Sequence, residues 1–291
     1  MTLSVADAEY LRGVVQRTSG NHIDSTREYL FESRLQRVLQ SRGLSSLEQL
    51  VAALRRETGT ALQRTVAEAM TINETSFFRD SATFELLRTE LLPSLIAARQ
   101  QTRTLRLWSA ASSSGQEAYS LAILLREHFP LLAGWRIDIL GTDISSEMVE
   151  RSSAGRYQRI EINRGLPARL LLKYMVRTGD EWEVAPEIKR LCRFQQRNLC
   201  DLTLVAGRFD IIFLRNVMIY FPQDTRQRVL TTVHRSLEPD GHLFLGMGEQ
   251  TRMESHWQAV LAPKTVWYKP LGCAFSTSPG GGDILSSRDG R

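Results

Sequence analysis

Several things are scarce in these 291 residues, and each scarcity removes a class of function. There are three cysteines, Cys192, Cys200 and Cys273, too few and too scattered for a disulfide framework or a zinc cage. No metal-ligand set is expected. No apolar run approaches the roughly 18–20 residues of a membrane span, and MTLSVADAEYLRG lacks the basic-then-apolar pattern of a signal peptide. A reducing cytoplasm without membrane insertion is the compartment expected. The five histidines are scattered, and no Ser-His-Asp or Cys-His pattern points to a nucleophile or general base. Internal repeats are absent too.

What remains is ordinary for a soluble globular protein: 42% hydrophobic, 24% charged. The formal charge of +5 favours acidic partners, nucleic acid or a glutamate-rich protein surface, without choosing between them.

Residues 1–80 predict a small helical domain. Phe31, Leu35, Val38, Leu39 and then Leu47, Leu50, Val51, Leu54 recur at helical spacing. Gly43 is a stop signal and Ser45-Ser46 a start signal between the two runs. Arg27, Arg34, Arg37 and Arg42, with Glu28 and Glu32 among them, form either a solvated face or a docking surface for an acidic helix bundle.

Residues 81–271 predict strands alternating with helices, hence a mostly parallel, doubly wound sheet. Strands are expected at LRLWSA (105–110), RIDILGTD (136–143), FDIIFLRN (209–216), HLFLGMG after a Glu238–Gly241 turn, and KTVWYKP (264–270). Helices are expected in GQEAYSLAILLREH, from Ser145-Ser146, and in DTRQRVLTTVHRSL. The rhythm breaks at about 164–198, where Thr178-Gly179-Asp180 reads as a hairpin in an inserted β-subdomain. Residues 272–291, rich in Ser and Gly, read as a disordered tail.

Ligands of such sheets bind beyond the carboxyl ends of the strands. The loop Ala111-Ser112-Ser113-Ser114-Gly115 lets a ligand approach backbone closely, but it is no G-x-G-x-x-G fingerprint. Glu117 stands in the first turn of the following helix, where it would repel a pyrophosphate. It serves either as a helix-dipole residue or as partner to a cationic ligand group, so NAD is disfavoured. Asp143 suits the two ribose hydroxyls of a nucleoside, or else caps the next helix. S-adenosylmethionine has no phosphate and carries an ammonium and a sulfonium, which suits Glu117, and its ribose suits Asp143.

With these loops in place the chain resembles the chemotaxis-receptor methyltransferase family usually called CheR. TINETSFFRD (71–80), LWSAASSSGQEAYSLA (107–122), LGTDIS (140–145), FDIIFLRNVMIYF (209–221) and LEPDGHLFLGMGE (237–249) carry the resemblance. It implies a Rossmann-like class I methyltransferase domain with an inserted β-subdomain, preceded by an all-helical N-terminal domain. It also implies methyl transfer from S-adenosylmethionine to glutamate carboxylates of chemoreceptors, leaving S-adenosylhomocysteine. Asn73, Thr75, Arg79, Glu117, Asp143, Asn198, Leu199, Asn216 and Val217 would hold the cofactor. Arg79 and Tyr220 would serve the reaction, Arg79 by holding the methionyl carboxylate or steering the substrate. Their plainer readings are an ion pair of Arg79 with Asp80 or Glu74, and a core position for Tyr220.

Gln116 stands where the family often has a first glutamate, and the insert looks short at its hairpin. The latter implies independence of a receptor's C-terminal pentapeptide tether. The partner implied is the cytoplasmic helical region of a methyl-accepting chemoreceptor, not nucleic acid. Two other readings stay open: a non-catalytic cofactor-binding module that meets a receptor, and a nucleic-acid methyltransferase. The second would commonly show N/D-P-P-Y/F where Asn216-Val217-Met218 stands.

Overall fold

Every residue of Phe209–Leu214 is buried, as a strand covered on both faces must be. In the computed structural model, which describes residues 3–57, 60–201 and 207–272, this segment lies at the middle of a seven-stranded sheet. In chain order the strands are β1 (Thr104–Ala110), β2 (Arg136–Asp143), β3 (Arg156–Gln158), β4 (Met175–Thr178) and β5 (Glu181–Val184). They continue with β6 (Cys192–Gln196), β7 (Phe209–Leu214), β8 (Leu237–Leu245), β9 (Trp257–Ala262) and β10 (Thr265–Pro270).

The large sheet runs β6-β2-β1-β7-β8-β10-β9. Its first five strands pair in parallel, and β10 runs antiparallel to both neighbours. The chain builds outward from β1 through β2 to β6, then returns to lay β7 on the other side of β1. Strand order therefore reverses between β1 and β7, and the crevice belongs at their carboxyl ends.

Alternation along the strands divides the core. Ile211 and Phe213 pack with Leu121, Ala122 and Leu125 of the helix Gln116–His128 and with Leu87, Leu91 and Leu95 before β1. Ile212 and Leu214 pack on the other face with Val229, Leu230 and Val233 of the helix Gln223–Ser236. A period of two puts neighbouring residues on opposite faces, so one apolar run feeds two helical layers.

The N-terminal helices, chiefly Val5–Ser19, Leu47–Arg56 and Thr60–Ala69, close on a separate core of Leu11, Phe31, Leu35, Leu50 and Leu54. Gly43 adopts φ 64°, and Ser46 caps the next helix by accepting from the Gln49 amide, as the stop and start signals require. Of the arginine face, Arg34 donates to the carbonyls of Met70 and Thr71 at 3.0 Å each; it ties off the end of the helical unit instead of standing free.

Glu68 docks this unit on the sheet. Its carboxylate accepts from the amide and hydroxyl of Ser146 and from Gln196, which places an anion at the start of the helix Ser146–Ala154. Gly20 (φ 79°) lies so close to the sheet domain that a Cβ there would meet Cys200 Sγ at 2.6 Å.

Three segments differ from expectation. The Glu238–Gly241 turn is absorbed into β8: Phe209 pairs with Leu237 and Ile211 with His242, so the extra residues bulge out while the strand continues. The small sheet, in the order β3-β5-β4, begins at Arg156, ahead of the expected residue 164, with the expected hairpin at Gly179-Asp180. Cys192–Gln196, expected inside the insert, pairs with β2 at the edge of the large sheet. An edge strand reading CRFQQ, half-buried to exposed, has no apolar alternation to announce it; β9 on the opposite edge, WQAVLA, was not expected either. Of the tail expected over 272–291, all but residue 272 lies outside the described residues. Among the described residues no helix is long and apolar enough to cross a membrane.

His242 is 5% exposed, and its Nδ1 finds no partner among the described residues. Burial lowers its pKa to about 4, with Lys269 adding to the effect and Asp240 opposing it. Because the folded value lies below the unfolded one, its contribution to stability is whole above about pH 6.5. It is lost as pH falls from there toward about 4, and amounts to on the order of 2–3 kcal/mol. Urea midpoints at pH 7 and 4.5 are expected to differ less in His242→Phe than in the wild type. An equal drop in both proteins would rule out this histidine as the cause.

Candidate functional site

The loop after β1 is bent in a way few residues tolerate. Ala111, Ser113 and Gly115 adopt φ of 59°, 50° and 93°, left-handed values that cost energy for residues with a Cβ. At Gly115 a Cβ would meet Ser152 Cβ at 2.7 Å, so glycine is required both for the backbone and for the close approach of the helix Ser146–Ala154. The bend is held from two sides. Ser113 Oγ donates to the Asn73 carbonyl at 2.7 Å, and the Ser113 amide donates to Asp143 at 2.8 Å.

Asp143, the last residue of β2, is 5% exposed. Its other oxygen accepts from the Ser145 amide at 2.9 Å. The helix that follows is capped by Ser145, whose hydroxyl accepts from Met148, so Asp143 is not its cap. Burial pushes the Asp143 carboxyl above the ordinary 3.8, while the Ser145 and Ser113 amides pull it back. Each oxygen keeps lone-pair capacity for one more donor, which is what a pair of vicinal hydroxyls needs.

Glu117 is committed differently from expectation. Ser109 Oγ donates to one oxygen at 2.7 Å and Arg215 to the other at 2.9 Å. Arg215, whose side chain is 2% exposed, also bonds the Asp80 carboxylate and donates to the Arg79 carbonyl at 3.0 Å. Two carboxylates around one guanidinium leave a surplus negative charge at the helix start. A cationic ligand group is therefore still favoured there, although it meets the whole triad and not a lone Glu117.

Arg79 lines the cleft from the segment linking the two units. Neither of its expected ion pairs forms, since Asp80 holds Arg215 and Glu74 holds Arg164. Its one hydrogen bond among the described residues goes to the Glu74 carbonyl at 3.3 Å, which leaves guanidinium donors for an incoming carboxylate. The segment is anchored by Phe77, 1% exposed and edge-on to Tyr157, and by the Phe78 amide on Ser120.

On the far wall, Asn198 spends its side chain structurally, donating to the Thr18 carbonyl and accepting from the Cys200 amide. A ligand would find its backbone and neighbouring Leu199. Asn216 sits at φ 58° because Glu249 holds it. That carboxylate, 9% exposed, collects the amides of Asn216, Gly246 and Ile219. Tyr220 is half-buried, its carbonyl accepting from the His22 amide at 2.8 Å.

All ten residues singled out from the sequence, Asn73, Thr75, Arg79, Glu117, Asp143, Asn198, Leu199, Asn216, Val217 and Tyr220, line one cleft of about 910 Å³, open mouth included. It lies at the carboxyl ends of β1, β2 and β7. Sequence reasoning missed Ser19 and Asn21, contributed by the helical unit, and Arg197 and Arg215. Arg215 lay inside a quoted motif, but nothing in the sequence marks it as buried. Glu249, behind the cleft, was missed as a clamp for the same reason.

Comparison with known proteins agrees with this geometry. Residues 6–71 match the CheR methyltransferase all-alpha domain, and residues 73–266 match the CheR methyltransferase SAM binding domain. The chain is 37% identical to Chemotaxis protein methyltransferase 1 of Pseudomonas aeruginosa, over 92% of this chain and 99% of that one. It is 34% identical to Chemotaxis protein methyltransferase Cher2 of Pseudomonas putida, with the same coverages. Among solved structures, a TehB-like SAM-dependent methyltransferase from Corynebacterium glutamicum aligns with a TM-score of 0.34 and 13% identity, over 65% of this chain and 93% of that one. That likeness is too distant to carry an argument.

Proposed function

Because the chain belongs to the CheR family of S-adenosylmethionine-dependent chemotaxis methyltransferases, we propose that it esterifies glutamate side chains of chemoreceptors in the cytoplasm. The observation that carries this reading is a net-negative Asp80–Arg215–Glu117 triad, of which Glu117 and Arg215 line the cleft and Asp80 stands behind Arg215, together with Arg79, which lines the same cleft and makes no ion pair among the described residues. The first suits a cationic amine and the second a carboxylate.

Bound S-adenosylmethionine supplies a methyl group on a sulfonium, ready for in-line displacement. In this reading Asp143 accepts the ribose hydroxyls. The triad neighbours the ammonium, and Asn73, Thr75, Leu199, Asn216 and Val217 shape the rest of the pocket. Arg79 holds a carboxylate, methionyl or acceptor, and Tyr220 borders the acceptor side. A glutamate has a reference pKa of about 4.3 and is already a nucleophile at neutral pH, so no general base is needed. The protein's work is alignment and removal of water, for which well-oriented pairs gain on the order of 7–11 kcal/mol. The charges of donor and nucleophile vanish as the bond forms, so positioning has to outweigh ground-state attraction. Docking on the receptor's helical region without a pentapeptide tether is part of the same proposal.

The test is incubation with methyl-labelled S-adenosylmethionine and receptor-bearing membranes, followed by an assay for base-labile methanol. Label stable to base, or label appearing in DNA or RNA instead, defeats the proposal.

Asp143→Ala is expected to weaken S-adenosylhomocysteine binding by roughly 1–3 kcal/mol, the penalty for leaving buried hydroxyls unpaired. In the wild type, affinity is held at neutral pH and lost as pH falls through the raised pKa of Asp143, above 3.8, because protonation removes an acceptor. Calorimetry across pH measures both effects. Unchanged affinity in the variant would rule out the ribose role.

A further inference from the structure

β7 and β8 end level with each other, Leu214 opposite Leu245, so the loops that follow leave the sheet side by side. The first carries the cleft residues Asn216, Val217, Tyr220 and Phe221. The second, Gly246–Glu249, closes on itself. The Glu249 amide donates to the Gly246 carbonyl at 3.0 Å, and Gly248 takes a left-handed φ of 83°, which glycine supplies at the third place of a tight turn. The bend returns the Glu249 side chain toward β7. One carboxylate oxygen accepts from the Gly246 amide at 2.7 Å and the Asn216 amide at 2.8 Å. The other accepts from the Ile219 amide at 3.1 Å.

These bonds hold a backbone that would not choose its own shape. Asn216 stands at φ 58°, a left-handed value that costs energy with a Cβ present, though asparagine less than most. The two clamped amides, 216 and 219, bracket Val217, and the turn Met218–Tyr220 that follows delivers Tyr220 to the cleft. Packing enforces the same geometry, since a Cβ on Gly246 would fall 2.6 Å from the Asn216 nitrogen. The ends of this loop have other holds: Arg215 in its triad, and the Tyr220 carbonyl on the His22 amide. Glu249 is the hold in the middle. It lines a depression beside β8 and not the cleft, so it acts on the site only through the backbone it grips.

We propose that Glu249 is a positioning residue for methyl transfer. By keeping Asn216 left-handed and fixing the start of the Met218–Tyr220 turn, it sets where Val217 and Tyr220 stand relative to the transferred methyl group. The assignment rests on the methyl-transfer reading above. An in-line displacement tolerates little error in distance or angle, and a misplacement of about 1 Å can cost on the order of 10²-fold in rate. A carboxylate suits the task because both its oxygens accept and neither donates. A glutamine offers one such oxygen, so whichever way its amide turns, an N–H group faces at least one of the three backbone amides.

The test is steady-state methyl-ester formation on receptor-bearing membranes, with S-adenosylhomocysteine binding to the same proteins followed by calorimetry. Glu249→Gln keeps the size of the side chain. It is expected to lower kcat by about 10- to 100-fold, with the acceptor KM little changed and the stoichiometry of S-adenosylhomocysteine binding undiminished. Gly246→Ala presses on the Asn216 nitrogen while leaving the carboxylate in place, and is expected to show the same split. Met247→Ala, in the same turn but 81% exposed, is the control and leaves kcat unchanged. A merely structural role for Glu249 would lower binding stoichiometry and kcat in the same proportion, and that outcome overturns the proposal. Wild-type kcat in Glu249→Gln overturns it too, with the methyl-transfer reading intact. Wild-type protein that makes no methyl ester overturns that reading, and this assignment with it, before any variant is compared.

Discussion

Arg215→Met is expected to cost about 3 kcal/mol of stability at pH 7 and to abolish cofactor binding with it. Removing one partner of a buried ion pair costs about 3–5 kcal/mol, because an uncompensated charge stays behind. Here two charges stay behind, Glu117 with a 13% exposed side chain and Asp80 at 32%. Asp80 is partly hydrated, so the lower end of the range applies. The guanidinium also donates to the Arg79 carbonyl, so its loss frees the segment that presents Arg79. Urea midpoints of Arg215→Met, Glu117→Gln and the double variant measure the coupling. The double variant is expected to recover part of the loss, since it removes one stranded charge. Strict additivity would mean that the two residues do not act as a pair.

The second large effect is expected at Arg79, this time in turnover with the fold intact. Arg79→Ala is expected to lower kcat/KM by about 10²–10³-fold, the range for removing one preorganised donor to a charged reacting group. Arg79 makes no ion pair among the described residues and a single long hydrogen bond, so stability is expected to stay within about 0.5 kcal/mol. The split between constants reads out which carboxylate Arg79 holds. Weaker S-adenosylhomocysteine binding points to the methionyl end, and a loss confined to the acceptor terms points to the substrate glutamate. Wild-type kcat/KM would remove Arg79 from the reaction. Partial recovery in Arg79→Lys would identify charge, as distinct from fork geometry, as what matters.

How far the fold was legible depended on burial. β1, β2 and β7 are covered on both faces and declare themselves as apolar runs. β6, at one edge, needs apolar residues on few positions, so CRFQQ passed for part of the insert. The Glu238–Gly241 turn was misplaced for a related reason: turn residues mark irregular backbone equally well in a loop or in a bulge within a strand.

In the candidate site, short-range features were the legible ones. The small residues of 111–115 and an acid at the end of a strand are local, and they placed Glu117 and Asp143 in the cleft. Arg215 was not legible, since its partners Asp80 and Glu117 lie 135 and 98 residues away in sequence. Nor was the structural commitment of Asn198, whose acceptor is the Thr18 carbonyl.

The sequence by itself determined the two-part α/β organisation, the strands buried at the centre of the sheet and the family, because burial and tight turns act through residues near one another in the chain. Tertiary structure alone decided that Glu117 shares its charge with a buried arginine and that a helix from the first fifty residues completes the cleft wall. Those depend on which distant side chains meet once the sheet has closed, and pairing across a fold leaves no periodicity in the chain.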